Sequence, residues 1–126
     1  MASQPARVLI VDDDPATRQL FAANLQAEGH IVLEAEDGRH GLELARLEQP
    51  DLVVTDVAMP VLDGFELAAA LRRDERTRGI PFIFHSGDTT AENEVRARRL
   101  GAIAYLSKPL DPAVLAALVT GALAHA

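Results

Sequence analysis

The apolar pattern changes period repeatedly along the chain, and each change is punctuated. Val8–Val11 is an unbroken apolar run, the pattern of a strand covered on both faces. Pro15 follows acidic residues able to cap a helix and stands where a first helical turn tolerates proline. A helical stretch continues to about Ala27, and Gly29 ends it. Ile31–Ala35 has strand character. Gly38–Glu48 has a helical period, with Leu42 and Ala45 on one face, and Pro50 closes it. Leu52–Thr55 is the third strand. Phe65 to about Arg73 is the third helix, with Leu67 and Leu71 one turn apart. Phe82–His85, Ala91–Leu100, Ile103–Leu106 and Val114–Leu123 complete the series as strand, helix, strand and helix. In the last helix Leu115, Leu118, Val119 and Ala122 recur at helical spacing. Five βα units with short connections predict one α/β domain, a parallel sheet with helices on both faces. Right-handed crossovers limit the topology to a few choices. The domain is expected over 6–124, with 1–5 as an N-terminal extension.

Composition narrows the classes of function. A chain of 126 residues that is 48% hydrophobic and 25% charged is expected to fold as one domain. The formal charge of −7 argues against nucleic-acid binding by this domain and gives no attraction to anionic membranes. Without Cys there is no disulfide, thiolate zinc site or thiol redox chemistry. His30, His40, His85 and His125 are scattered, with no i, i+4 pair for a helical zinc site. No run approaches the ~20 apolar residues of a membrane span, and residues 1–7 lack the apolar core of a secretory signal. A cytoplasmic protein is expected.

Polar residues at the strand ends carry the candidate chemistry. Asp12 and Asp13 follow the first strand, Asp56 the third, Ser86 the fourth and Lys108 the fifth. Parallel strands point these ends at one sheet edge, where open α/β sheets bind ligands. Three carboxylates meeting there repel one another unless a cation sits between them. Oxygen ligands and negative charge suit Mg²⁺. An Asp can attack phosphorus to form an aspartyl phosphate, and that transfer chiefly needs neutralisation of charge on the phosphoryl oxygens. A divalent ion and the Lys108 ammonium would supply it, with Ser86 as a further donor.

Together these segments resemble the receiver domain of two-component phosphorelays over nearly the whole chain. The matching pieces are Val11-Asp12-Asp13, Asp56-Val57-Ala58-Met59-Pro60-Val61-Leu62-Asp63-Gly64, Ser86, and Tyr105-Leu106-Ser107-Lys108-Pro109. Each is weak alone; in this order and spacing they are specific. The resemblance implies a (βα)5 flavodoxin-like fold with strand order 2-1-3-4-5. It implies that Asp56 is the phosphoacceptor, that Asp13 ligates Mg²⁺ directly and Asp12 mostly through water, and that the Ala58 carbonyl adds a ligand. Lys108 would pair with the phosphoryl group, and Ser86 and Tyr105 would form a switch acting on the helix-four, strand-five and helix-five surface. The donor would be a histidine kinase or a phosphotransfer protein. The domain would catalyse only its own phosphorylation and dephosphorylation. The Lys108–Pro109 bond is expected to be cis, as in family members.

Other residues have plainer expected roles. Asp14 is a helix cap, and Asp63-Gly64 a turn and cap. His85 is a packed or partly exposed strand residue. Gly87, Gly101 and Gly121 are turn or close-packing positions. Three departures from the family pattern stand out: Gly87 after the switch hydroxyl, Ala58 without a polar side chain, and Asp88, which can orient water or repel the phosphoryl group. Ile103 and Ala104 replace the acidic pair that a large class of DNA-binding regulators carries before the switch aromatic, which disfavours that class's charged dimer face. Helix four is weakly anchored, with Glu92–Arg96 and Glu94–Arg98 as candidate i, i+4 pairs. Helix five carries no charge from Pro112 to Ala124; Ala113, Ala116, Ala117 and Thr120 are candidates to pack against a second copy or a neighbouring domain.

Two rival classes remain. A haloacid-dehalogenase-type phosphatase also uses an Asp-x-Asp motif, which Asp12-Asp13-Asp14 satisfies, but Ala16 stands where Thr or Val is usual, and no late acidic pair or cap insertion is present. A nucleotide or flavin module would need a Gly-rich phosphate loop, and Asp13-Asp14-Pro15 stands in its place.

Overall fold

The computed structural model describes residues 5–124. The elements alternate as β1 (Arg7–Val11), α1 (Pro15–Ala27), β2 (Ile31–Ala35), α2 (Gly38–Glu48), β3 (Leu52–Asp56), α3 (Gly64–Arg73), β4 (Phe82–Ser86), α4 (Ala91–Arg99), β5 (Ala104–Ser107) and α5 (Pro112–Ala124). The strands form one parallel sheet in the order β2-β1-β3-β4-β5. This is the expected flavodoxin-like order.

Strand alternation divides the core in two. Val8 and Ile10 of β1, Leu52 and Val54 of β3, and Ile83 of β4 pack with Phe21, Ala22 and Leu25 of α1 and Leu115, Ala116 and Val119 of α5. Leu9, Val11, Val53, Phe82 and Phe84 face the other way, onto Ala45 of α2, Phe65, Leu67, Ala68 and Leu71 of α3, and Ala97 of α4. Helices on both faces explain the apolar stretches Val8–Val11 of β1 and Leu52–Val54 of β3.

Helix starts are set by side-chain caps. Asp14 accepts from Ala16 N, Asp37 from His40 N and Thr90 from Asn93 N. Asp63 forms a reciprocal capping box with Glu66, each side chain satisfying a free backbone N–H of the other. The roles expected of Asp14 and Asp63 are thus observed. Asp111 starts α5 earlier than its apolar period indicates: its carboxylate accepts from Ala113 N at 2.9 Å and its carbonyl from Leu115 N at 3.1 Å. Strand β5 begins one residue later than expected. Ile103 N does donate to Phe82 O, but the ladder pairs Ala104 with Ile83, and Ile103 is exposed. The polar ends of β3 and β4 extend those ladders, with Asp56 opposite His85 and Ser86 opposite Ser107.

Three sequence expectations are corrected. Gly121 is neither turn nor packing contact: it lies in α5, and an added Cβ would meet open space, as it would at Gly87 in its loop. Close approaches to backbone are found at Gly38 and Gly64 instead. Neither candidate ion pair of α4 forms among the described residues; the Arg96 guanidinium lies over the Phe65 ring, 4.5 Å from its centre, an attraction to the ring's electron-rich face. The face offered by α5 is smaller than expected. Ala116 is buried in the chain's own core. Thr120 accepts from His30 Nε2 at 2.8 Å and donates to the Glu28 carboxylate, tying α5 to the segment after α1. Ala113 and Ala117 remain exposed.

Candidate functional site

The site forms where β1 and β3 end side by side. Asp12 follows β1, and its backbone N–H donates to Ala35 O, so the chain is held before it turns into α1. Its Oδ1 accepts from Asp14 N at 2.8 Å, and Arg18 donates to its carbonyl at 2.7 Å. Asp56 is the last residue of β3. Its Oδ2 lies 2.9 Å from Lys108 Nζ. Lys108 is aimed from the other side by its own backbone N–H, which donates to Ser86 O at 2.9 Å. The Lys108–Pro109 bond is cis, as expected. Ligand oxygens of Asp12, Asp13 and Asp56 all lie within 4.8 Å of one another. Asp12 and Asp56 are buried and Asp13 is exposed. They open into a cleft of about 390 Å³ that Thr17, Phe21, His85, Lys108 and Pro109 also line.

The electrostatics are unbalanced. Three carboxylates face one ammonium at this edge. Asp56 Oδ1 and Asp12 Oδ2 are buried without a hydrogen-bond partner, a costly condition for ionised oxygens. Burial pushes the Asp12 carboxyl up to about 6, against the Asp14 N–H that stabilises its charge; the neighbouring Asp56 and Asp13 push in the same direction as burial. At the other end of the cluster, the Thr17 hydroxyl holds Asp14 below the usual carboxylate range. Orphaned oxygens, clustered charge and an all-oxygen donor set fit a small hard divalent cation.

Not every expected site residue is drawn into the cleft. Ser86 is buried at the same edge, but its Oγ accepts from Asp88 N at 3.0 Å. Tyr105 donates its hydroxyl to the Asp88 carbonyl. Its ring stacks on Phe65 at 6.5 Å and meets Phe84 edge-on at 6.4 Å. Both switch candidates are therefore held by the backbone of residue 88. Ala58 lines a neighbouring hollow with Met59, Asn93 and Arg96.

His85 is the residue that sequence reasoning undervalued. It is fully buried, its ring meets Phe21 edge-on at 5.2 Å, and Nε2 lies 3.3 Å from Asp12 Oδ2. Burial, and then the nearby Lys108 charge, push the imidazole down to about 4, so it is neutral at pH 7. Strand alternation held the signal. Counting back by two from His85 reaches Ile83, which faces α1 and α5, so His85 points to the side of β4 on which Asp12 emerges.

Comparison with known proteins decides the family. A sequence profile described as the response regulator receiver domain matches residues 8–120. The chain belongs to the response regulator receiver domain family. Protein PilH of Pseudomonas aeruginosa is 41% identical over 119 residues, covering 94% of this chain and 98% of PilH. The transcriptional regulator RpaA of a Synechocystis strain is 42% identical over 105 residues, and there the match covers only 44% of the relative. The receiver domain also superposes on the chemotaxis protein CheY4 of Vibrio cholerae with a TM-score of 0.87 at 33% identity, covering 94% of this chain and 98% of that one. A CheY-like receiver protein of Methanospirillum hungatei gives 0.89 at 30% identity, with 97% and 96% covered. This receiver domain is therefore a signalling domain of the two-component type. Among its described residues, no helix is long and apolar enough to cross a membrane.

Proposed function

We propose that the unit spanning 6–124 is a phosphoacceptor switch of the cytoplasm that takes a phosphoryl group from a phosphohistidine donor onto Asp56. The observation that carries this reading is the asymmetry of Asp56: Oδ2 faces Lys108 at 2.9 Å, while Oδ1 is buried without a partner. Oδ1 is the free nucleophile. Its attack forms a phosphorus–oxygen bond as the phosphorus–nitrogen bond to the donor imidazole breaks, and the released imidazole takes up a proton. Lys108, already turned toward Asp56, transfers its charge-assisted contact to a phosphoryl oxygen, a bond roughly twice as strong as a neutral one.

Asp12, Asp13 and Asp56, with the Ala58 carbonyl, would hold Mg²⁺. When bound, that ion supplies neutralisation of charge on the phosphoryl oxygens. The donor is a sensor histidine kinase or a phosphotransfer protein. The domain acts only on itself and turns over no external substrate.

Switching follows from the bonds of residue 88. The Ser86 hydroxyl can leave Asp88 N and donate to the phosphoryl group. That exchange frees one of the two side-chain contacts made to the residue 88 backbone, and Tyr105 makes the other. Tyr105 then moves with the loop and alters the α4, β5 and α5 surface. This is a population shift, limited by how differently the two arrangements bind the phosphoryl group. The few buried contacts of α4, where Ala97 alone is buried, make that helix the easiest element to move.

Ion binding is predicted to depend on pH with a definite sign. Burial pushes the Asp12 carboxyl up to about 6, and a cation needs it ionised. Mg²⁺ affinity is therefore level above that pH and falls about tenfold per unit below it, one proton competing with one ion. Calorimetric titration between pH 5 and 8 measures this.

The direct test of the reading is incubation with acetyl phosphate, with Mg²⁺ or with chelator, followed by mass mapping. Mg²⁺-dependent phosphate on residue 56 is expected. Labelling indifferent to Mg²⁺, or located elsewhere, would refute it.

A further inference from the structure

His85 has a place in this geometry that the proposed phosphoryl chemistry leaves unused. Its side chain has no solvent exposure, and neither ring nitrogen has a hydrogen-bond partner. A neutral imidazole carries one N–H and one lone pair, and leaving a buried donor unpaired costs about 1–3 kcal/mol. The acceptor within reach is Asp12 Oδ2, 3.3 Å from Nε2, itself buried and unpartnered. The other oxygen of Asp12 is already held by Asp14 N. The 3.3 Å contact falls short of a hydrogen bond, and the two orphaned groups face each other. Only one tautomer lets them bond. With the proton on Nδ1, the Nε2 lone pair would point at the carboxylate lone pairs and the contact would be repulsive.

We infer that His85 is a positioning residue for the cation site: its Nε2–H donates to Asp12 Oδ2, and with Asp14 N on Oδ1 it fixes the plane in which Asp12 is presented to the ion. This inference rests on the reading of Asp12, Asp13 and Asp56 as a divalent-cation site. His85 acts through Asp12 and is not itself a ligand: the carboxylate oxygens within 4.8 Å of one another belong to the three Asp residues alone. Phe21 holds the imidazole from the side, with its ring at 81° to the imidazole plane, so the ring has little freedom to turn away. Partners that orient metal ligands commonly account for a 10–100-fold change in metal affinity.

The test uses Mn²⁺ as the probe, followed by the electron paramagnetic resonance signal of the free ion and by displacement with Mg²⁺. His85→Leu, close in size and apolar, is expected to weaken Mn²⁺ binding about 10–100-fold while leaving the ion-free melting temperature near that of the wild type. His85→Gln, which returns an amide donor near the Nε2 position, is expected to recover most of the loss; a purely packing role predicts no such rescue. Independently of any variant, long-range proton–nitrogen correlation spectra of the ion-free wild type should show His85 as the Nε2–H tautomer. An Nδ1–H tautomer, or equal affinity in wild type and His85→Leu, would overturn the inference. Failure of the wild type to bind Mn²⁺ at all would instead defeat the cation-site reading, and this one with it.

Discussion

Asp56→Asn is expected to take up no phosphoryl group from acetyl phosphate or from a phosphohistidine donor, under conditions where the wild type is labelled. The neighbouring acids are poor substitutes for separate reasons. Asp12 has one oxygen engaged by Asp14 N and is protonated more readily than an ordinary carboxyl because of burial. Asp13 is exposed and, among the described residues, is not in an ion pair. Only Asp56 combines a free buried oxygen with an ammonium on its other oxygen. The Asn variant keeps the shape but removes the charge that the proposed attack needs, and with it one of the three carboxylates of the proposed cation site. Intact-mass measurement after incubation with donor and Mg²⁺ checks the result. Equal labelling of the variant would move the nucleophile elsewhere.

Gly64→Ala is expected to be a strongly damaging single-methyl change beside Asp56. Its Cβ would stand 2.3 Å from the Asp56 carbonyl oxygen and 2.9 Å from Val57 Cα. Both obstacles are backbone, so neither can yield by a rotamer change. Gly64 N also donates to Val57 O at 2.8 Å, which binds the start of α3 to the residue after Asp56. Relief of the clash must push α3 away or displace the end of β3. A loss of about 3 kcal/mol is expected, with weaker ion binding because Asp56 moves too. Gly121→Ala is the matched control. Open space surrounds that position in α5, so the same methyl should stabilise by a few tenths to about 1 kcal/mol through helix propensity. Urea unfolding of both variants separates these outcomes. Equal stability of the two would show that the approach at Gly64 is not tight.

The difference between these glycines also marks how far the sequence could be read. Short-range physics was legible. The apolar stretches Val8–Val11 and Leu52–Val54 identified β1 and β3 because both sheet faces are covered, and Asp14 and Asp63 announced their helices because capping is decided within a turn. The order of Asp12, Asp13, Asp56 and Lys108 at strand ends was legible for the same reason, since parallel strands send those ends to one edge. Contacts between elements distant in sequence were not. Nothing local to Gly38 shows that the Leu62 carbonyl oxygen would stand 2.1 Å from its Cβ. Nothing local to Thr120 shows that Glu28 and His30 claim its hydroxyl, which turned a candidate partner contact into an internal bond. Arg96 looked like half of an ion pair with Glu92 because the ring of Phe65 lies far away in the chain. His85 stands between these cases. Its neighbours along the strand carry the signal for the face it takes, but the presence of Asp12 on that face required the sheet order.

The account depends on whether the clustered carboxylates of Asp12, Asp13 and Asp56 accept a divalent ion. Calorimetric titration of Mg²⁺ into the protein at pH 7.5, paired with melting curves, tests this most directly. One saturable site that raises the melting temperature, and that is abolished or strongly weakened in Asp13→Asn, is the predicted result. A protein whose heat signal and melting temperature are both indifferent to Mg²⁺ would contradict it.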